Sequence, residues 1–164
     1  MPAGRDRRMS RSEGADRVAV LLANVAAAAF MTGVIWIVQL VHYPLMAGWP
    51  HDQFGVWEGL HRRAIGPVVV PAMLAEGAAA GLLLLRPPRR GPRWPGWAAA
   101  GLLILVWAST FLVQVPCHER LSTGWDAALH SRLVATNWIR TLAWTARLAL
   151  LAWLAQRNLS CTRD

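Results

Sequence analysis

The chain alternates between long apolar runs and short polar segments, and the runs have the length of membrane spans. Residues 18–41 contain no charged side chain, residues 64–85 contain the single acid Glu76, and residues 97–115 again contain no charge. A helix needs roughly 20 apolar residues to cross a bilayer, where no water can satisfy its backbone groups. The pattern therefore predicts three transmembrane helices in these positions.

A fourth apolar run, residues 133–156, is interrupted by Arg140 and Arg147. Its polar and aromatic side chains recur at helical spacing, so one stripe of an otherwise apolar helix would face its neighbours. This stripe comprises His130, Asn137, Arg140, Thr141, Trp144 and Arg147. We therefore predict an all-α fold, a bundle of four transmembrane helices over residues 18–156.

The arginines predict how this bundle sits in the cell membrane. Nine lie in the N-terminal tail (residues 1–17) and in the loop after the second span, against four in the other two loops. The nine are Arg5, Arg7, Arg8, Arg11, Arg17, Arg86, Arg89, Arg90 and Arg93, and the four are Arg62, Arg63, Arg120 and Arg132. Basic residues favour the cytoplasmic side, which predicts a multi-pass protein with a cytoplasmic N-terminus and a cytoplasmic C-terminal tail, residues 157–164. The uncharged first run exceeds the apolar core of a signal peptide, roughly 7–15 residues, so we expect a retained anchor.

The two halves of the chain share an order of residues. In each half a glutamine and a histidine end one span, a tryptophan follows, and a Leu-His pair opens the next span. The first half has Gln39, His42, Trp57, Leu60 and His61, and the second has Gln114, His118, Trp125, Leu129 and His130. The order favours two parallel two-helix units related by an axis along the membrane normal, with chance similarity as the alternative.

Four histidines lie at the outer ends of the four predicted helices, one on each: His42, His61, His118 and His130. Helix bundles can bring side chains from separate helices onto a metal, and imidazole is a common metal ligand. The placement predicts a transition-metal or haem site, with Gln39 and Gln114 orienting the histidines that follow them by three and four residues. A structural hydrogen-bond network and unrelated surface histidines are the two alternatives.

The charged residues within the spans predict two further roles. Glu76 and Arg147 lie at nearly equal depth when residues are counted inward from His61 and His130, so we expect them to pair across the bundle. Arg140 is shallower and, with Asn137, would hold oxygen atoms of a substrate. Snorkelling of both arginines to the interface is the alternative.

Net charge and cysteine content narrow the range of partners. The net charge is +8 and every one of the 17 basic residues is arginine. These arginines lie at segment ends rather than along one face, which argues for membrane orientation and against nucleic-acid binding. Cys117 and Cys161 would lie on opposite sides of the membrane, so no disulfide is expected within one chain.

Short motifs give the chain a family resemblance over about residues 30 to 150. They are Pro44 after the first span, Trp57 to Leu60 before the second, Pro67 or Pro71 within it, Pro116 to Leu121 after the third, and Trp144 with Arg147 in the fourth. With them the chain resembles small four-helix bacterial membrane proteins and is more distantly similar to the anthrone-oxygenase-like family. That resemblance implies oxygen-dependent oxidation of polycyclic aromatic substrates without a conventional cofactor. The family's Thr-Asn signal after the third span is missing there, since Thr136-Asn137 comes later.

These observations leave three hypotheses for function. The first is an oxidoreductase or oxygenase with an outward-facing site for a hydrophobic small molecule, in which His42 and His118 act as ligands or bases. The second is a non-catalytic accessory protein that binds a partner through its tryptophan-rich loops. The third is a small carrier or channel subunit, which would have to form a homo-oligomer.

Overall fold

The computed structural model describes the backbone of residues 3–88 and 92–160, with side chains from residue 14 onward. The arginines from Arg5 to Arg11, the pair Arg89 and Arg90, and Cys161 lie outside the described side chains, so the predictions made for them from the sequence stay predictions. Within the described ranges the chain is helical and contains no strand.

The helices form four long segments that pack side by side as a bundle. The order is α1 (Ala3–Ile37), a π-helical turn (Val38–His42), α2 (Tyr43–Met46), a short 3₁₀ turn (His51–Gln53), α3 (Phe54–Leu85), α4 (Trp94–Ser109), a second π-helical turn (Thr110–Gln114), α5 (Val115–Leu121) and α6 (Ala127–Ser160). Helix α1 packs against α3 and α6, and α4 packs against the same two helices. We call the end that holds α2 and α5 the histidine end, and the opposite end the arginine end.

Three of the four segments are long and apolar enough to cross a membrane: Gly14–Met46, His51–Leu85 and Trp94–Leu121. Within the described residues α6 does not join them, because its polar side chains lower its mean hydropathy. Those side chains face the bundle interior, where Asn137, Thr141 and Arg147 are buried. The opposite face of α6 is apolar and exposed, as at Ile139 and Leu142.

The bundle is apolar outside and partly polar inside. Ile104 is 71% exposed and Leu112 is 76% exposed, whereas Glu76, Asn137 and Arg147 are completely buried. In water, such an apolar surface would drive association, and ionisable groups buried inside a membrane helix must find partners within the protein. The distribution is that of a protein surrounded by lipid.

Each π-helical turn lies immediately before an X-Pro pair, Tyr43-Pro44 and Val115-Pro116. Proline has no amide hydrogen, so the regular bond pattern cannot continue through it. The preceding amides bond five residues back instead, Tyr43 N–H to the Val38 carbonyl and Val115 N–H to the Thr110 carbonyl. The extra residue rotates the next helix, and both Tyr43 and His118 lie on helices that follow such a turn.

The predicted repeat can be aligned on its shared glutamines or on its π-helical turns, and the two alignments differ by three residues. Gln39 and Gln114 are 75 positions apart, whereas Pro44 and Pro116 are 72 apart, as are the two turns. In the backbone register His42 therefore corresponds to Gln114 and not to His118. The repeat itself stays a prediction.

A glycine allows the start of α3 to reach the end of α5. A Cβ atom on Gly55 would lie 2.7 Å from the carbonyl oxygen of Ser122, closer than side-chain carbons are found to backbone oxygen. Only glycine permits this approach without displacement of the backbone. The contact holds the first turns of α3, which carry Glu58, beside the helix that carries His118.

Candidate functional site

A cavity of about 360 Å³ lies among all four helical segments, toward the histidine end. Most of its wall is apolar, from side chains such as Met31, Ile35, Val69 and Met73. Its polar lining comes from Tyr43, His61, Arg62, Thr110, Gln114, His118 and Arg140. An apolar pocket of this size with a few converging polar groups is the usual form of a small-molecule site.

Tyr43 lies where these polar groups meet, and it is 1% exposed. Its hydroxyl oxygen is 3.1 Å from Nε2 of His118, 3.4 Å from Oε1 of Gln114 and 3.5 Å from Nη2 of Arg140. Arginine can only donate, so Arg140 donates to the phenol oxygen, and the phenol proton is free to go to the nearer acceptor, His118.

His118 is held by a buried acid, Glu58. Nδ1 of His118 lies 2.6 Å from Oε1 of Glu58, whose side chain is fully buried. Nδ1–H of His118 donates this hydrogen bond to the carboxylate, which leaves the lone pair of Nε2 directed at Tyr43. Glu58, His118, Tyr43 and Arg140 therefore form one hydrogen-bonded chain, which we call the relay.

Sequence reasoning missed two members of the relay. Neither Glu58 nor Tyr43 is among the residues for which the sequence predicted a role. The signal for Glu58 was its position three residues before His61, since that spacing puts both side chains on one helix face. The signal was hidden because α3 begins at Phe54, well before the apolar run at residue 64.

Arg140 carries a charge without an ionic partner in the described part of the chain. Its Nε and Nη2 donate to Oδ1 of Asn137 at 2.8 and 2.6 Å, and its Nη1 donates to Oγ1 of Thr110 at 3.3 Å. All of these acceptors are neutral. The guanidinium is thus fixed at the cavity wall with its charge uncompensated by a carboxylate, which suits an anionic oxygen of a ligand.

Asn137 has a role in the structure that the sequence did not predict. It is fully buried, and its amide group donates to Oε1 of Gln39 at 2.7 Å while its oxygen accepts from Arg140. Both ends of the side chain are therefore used by the protein. Asn137 orients Arg140 and is not among the residues that line the cavity. Its predicted contact with substrate oxygens stays a prediction.

The four predicted metal ligands do not converge on one point. His42 and His61 stack face to face with ring centroids 4.2 Å apart, and His118 lies 5.4 Å from His61. His130 stands apart and donates from Nε2 to the Tyr43 carbonyl at 3.0 Å. Stacked rings present their faces, and not their lone pairs, to each other.

The donor set accordingly does not fit the predicted metal or haem. Both nitrogens of His118 are occupied by Glu58 and Tyr43. Among the residues with described side chains, no three histidine, cysteine or acidic groups are arranged to hold a metal ion. The structure instead favours the alternative of a hydrogen-bonded and stacked network.

The two glutamines also act differently from their predicted role of orienting histidines. Gln39 accepts from Asn137 and donates to the carbonyl of Val134, while Nε2 of Gln114 donates to Oγ1 of Thr136 at 2.9 Å. Both therefore tie the ends of the first and third segments to α6. Gln114 in addition offers its oxygen to Tyr43, which makes it a neighbour of the relay.

A second polar cluster lies deeper in the bundle, and it contains the predicted ion pair. Nη1 of Arg147 lies 3.2 Å from Oε1 of Glu76, and both side chains are fully buried. The other carboxylate oxygen accepts from the indole of Trp144 at 2.9 Å, and Arg147 donates to Asn24 at 3.2 Å. We call these four residues the deep cluster. It joins α1, α3 and α6.

The indole of Trp144 connects the deep cluster to the main cavity. Its ring forms part of the cavity wall and its N–H bonds to Glu76. Trp36 has other partners, since its indole bonds to Thr145 and packs edge-on against Trp138. The deep cluster therefore supports one wall of the cavity through a single side chain.

No protein-family model, no curated protein and no solved structure matches this chain. The resemblance to the anthrone-oxygenase-like family therefore depends on the short motifs alone, and of their residues Trp144 lines the cavity while Arg147 lies in the deep cluster.

Proposed function

We propose that the chain is an integral protein of the cell membrane with four transmembrane helices, α6 being the fourth, and with both termini cytoplasmic. Three apolar segments and the inward-facing polar stripe of α6 support the span count. The arginine distribution supports the orientation, and two arginines near the arginine end make interface-type contacts. Arg17 donates to the Pro87 carbonyl, and Arg157 lies 4.4 Å over the Trp153 ring.

Cysteine labelling tests this topology in a variant lacking Cys117 and Cys161. A cysteine at Pro88 should react with a membrane-impermeant maleimide only after the cells are opened. A cysteine at Ser131 should react in intact cells. Labelling of Pro88→Cys in intact cells would reverse the orientation and put the cavity near the cytoplasm.

We further infer that the protein is an enzyme that removes a proton from a hydrophobic ketone or phenol bound in the cavity. The relay carries this proposal, because it places a phenol between a base and a cation. Tyr43 gives its proton to His118, whose imidazolium is stabilised by Glu58. The phenolate then accepts an acidic C–H or O–H proton of the substrate, and Arg140 stabilises the oxyanion that forms.

The reaction implied by the family resemblance fits this chemistry without a cofactor. A polycyclic ketone such as anthrone loses one proton of its ring CH₂ to give an enolate. The enolate passes its electrons to dioxygen, and anthrone plus O₂ gives anthraquinone plus water. The chain's residues would form and hold the enolate, and dioxygen is the oxidant.

Proton abstraction is tested with anthrone and the full-length protein in lipid nanodiscs. Without oxygen and in D₂O, NMR should show exchange of the ring CH₂ protons faster than in empty nanodiscs. With oxygen, anthraquinone should form with matching oxygen uptake. Tyr43→Phe and Arg140→Gln should each slow the exchange by about 10²–10⁴-fold.

A matched control is Arg132→Gln, an exposed arginine on the same helix as Arg140. It should exchange protons at the wild-type rate. Gel filtration and circular dichroism establish that each variant is folded. Exchange no faster than in empty nanodiscs, or wild-type exchange in folded Tyr43→Phe, would refute the proposal.

A further inference from the structure

A second cavity lies beside the first, at the surface of the bundle between α1 and α3. Its volume is about 310 Å³, and we call it the lateral cavity. Its walls are Val34, Ile37, Val38, His42, His61, Ala64, Ile65 and Val68. Four of these, Val34, Val38, His61 and Ile65, also line the main cavity, so the same side chains bound both spaces.

The rim of the lateral cavity belongs to the apolar outer surface. Ile37 is 62% exposed and Val68 is 44% exposed. For a protein surrounded by lipid, an opening between such side chains leads into the hydrocarbon of the bilayer. Water-soluble molecules would not use it, because they would first have to partition into that hydrocarbon.

The polar groups of the two cavities are unevenly placed. Tyr43, Gln114, His118 and Arg140 line the main cavity, whereas the lateral cavity has only the stacked pair His42 and His61 among apolar walls. A ligand that fills both spaces would therefore have an oxygen-bearing head and an apolar chain. The head would lie at Tyr43 and Arg140, and the chain would pass His61 toward lipid.

We propose that the lateral cavity holds the hydrocarbon chain of the substrate, and that the substrate is a membrane lipid with a ketone or phenol ring. This rests on the proposed function and narrows its substrate class. The ring of the substrate lies at the relay, and its chain extends through the lateral cavity toward the bilayer between α1 and α3. Because a chain gains little free energy on moving from lipid to an apolar groove, the cavity selects by shape more than by affinity.

Blocking the lateral cavity tests the proposal. Ala64→Trp puts a large side chain into it from an exposed position on α3, and Val68→Phe does so independently. The probes are anthrone and 2-dodecylanthrone at equal mole fractions in nanodisc lipid, followed by anaerobic proton exchange. Each variant should slow exchange of 2-dodecylanthrone at least tenfold and leave exchange of anthrone within twofold of wild type.

Ala75→Trp is the matched control, since residue 75 is an exposed alanine three turns along α3 and on nearly the same face. It should process both probes like wild type. Equal effects of Ala64→Trp and Val68→Phe on both probes, or no effect on either, would overturn the role of the lateral cavity in holding the chain, while anthrone exchange by wild type still supports the proposed function. Failure of wild type to exchange anthrone would overturn both proposals.

Discussion

The relay and the deep cluster contain the same pair of charged groups, one glutamate and one arginine, in different arrangements. In the deep cluster Glu76 meets Arg147 directly, and both are fully buried. In the relay Glu58 and Arg140 are separated by an imidazole and a phenol, and Arg140 lines a cavity. Two opposite charges in direct contact neutralise each other. When an imidazole and a phenol lie between them, the charges instead act on the protons of those two groups. We therefore expect the deep cluster to stabilise the bundle, and we propose the relay as the place for chemistry.

The largest expected effect comes from breaking the deep cluster. Glu76→Gln leaves Arg147 as a buried charge without its counter-ion, which should lower the free energy of unfolding by about 3–5 kcal/mol. Titration with SDS from mild detergent micelles, followed by circular dichroism, measures the change. Glu76→Gln combined with Arg147→Leu removes the unpaired charge and should recover most of the loss. Wild-type stability of the single variant would show that the pair is not structural.

Substitution of Glu58, the acid of the relay, should lower the rate of proton exchange and leave the stability of the fold unchanged. Glu58→Gln removes the charge that stabilises protonated His118, so anthrone proton exchange should fall by roughly 10²-fold. The folded fraction, measured by gel filtration, should match that of wild type. A variant that keeps its exchange rate would remove Glu58 from the relay. Equal losses of folding for Glu58→Gln and Glu76→Gln would abolish the contrast between the clusters.

Asn137 tests whether the position of Arg140, and not only its charge, matters to the relay. Arg140 is the relay residue to which Asn137 bonds. Asn137→Ala removes two hydrogen bonds to the guanidinium, at 2.8 and 2.6 Å, and leaves its charge in place. A bond to a charged group contributes about 1.5–3 kcal/mol, so exchange should fall by roughly tenfold or more. Asn137→Asp would instead pair with Arg140, and we expect it to weaken binding of the anionic enolate. A KM unchanged in both variants would contradict this positioning role.

The smallest effect is expected outside both clusters. His51 stacks on Trp125 with ring centroids 4.6 Å apart but lies on the exposed surface of the histidine end. Loss of an aromatic contact of this kind changes stability by about 0.5–1.5 kcal/mol at most. His51→Ala should therefore exchange anthrone protons at the wild-type rate. A large loss of exchange would extend the site to the loop aromatics.

The ion pair of the deep cluster could be predicted from the depth of its residues along the helices. The contacts of the relay could not be predicted in this way. Counting at 1.5 Å per residue put Glu76 and Arg147 at one level, and only one acid was available in the spans. Tyr43 and His118 depend on π-helical turns, which change the face that follows them by one residue. A projection that assumes a regular α-helix therefore assigns Tyr43 and His118 to the wrong helix faces. Glu58 depends on a helix that starts before its apolar run.

The amino-acid sequence alone determined where the apolar segments lie, that α6 has a polar stripe, and which charges have to meet. These follow from local quantities, namely hydropathy, helical period and the cost of a charge in lipid. The tertiary structure decided which polar groups share a cavity, because that depends on rotation of one helix against another. Two added residues in helical turns and one glycine contact set that rotation, and with it Tyr43 came to lie between His118 and Arg140.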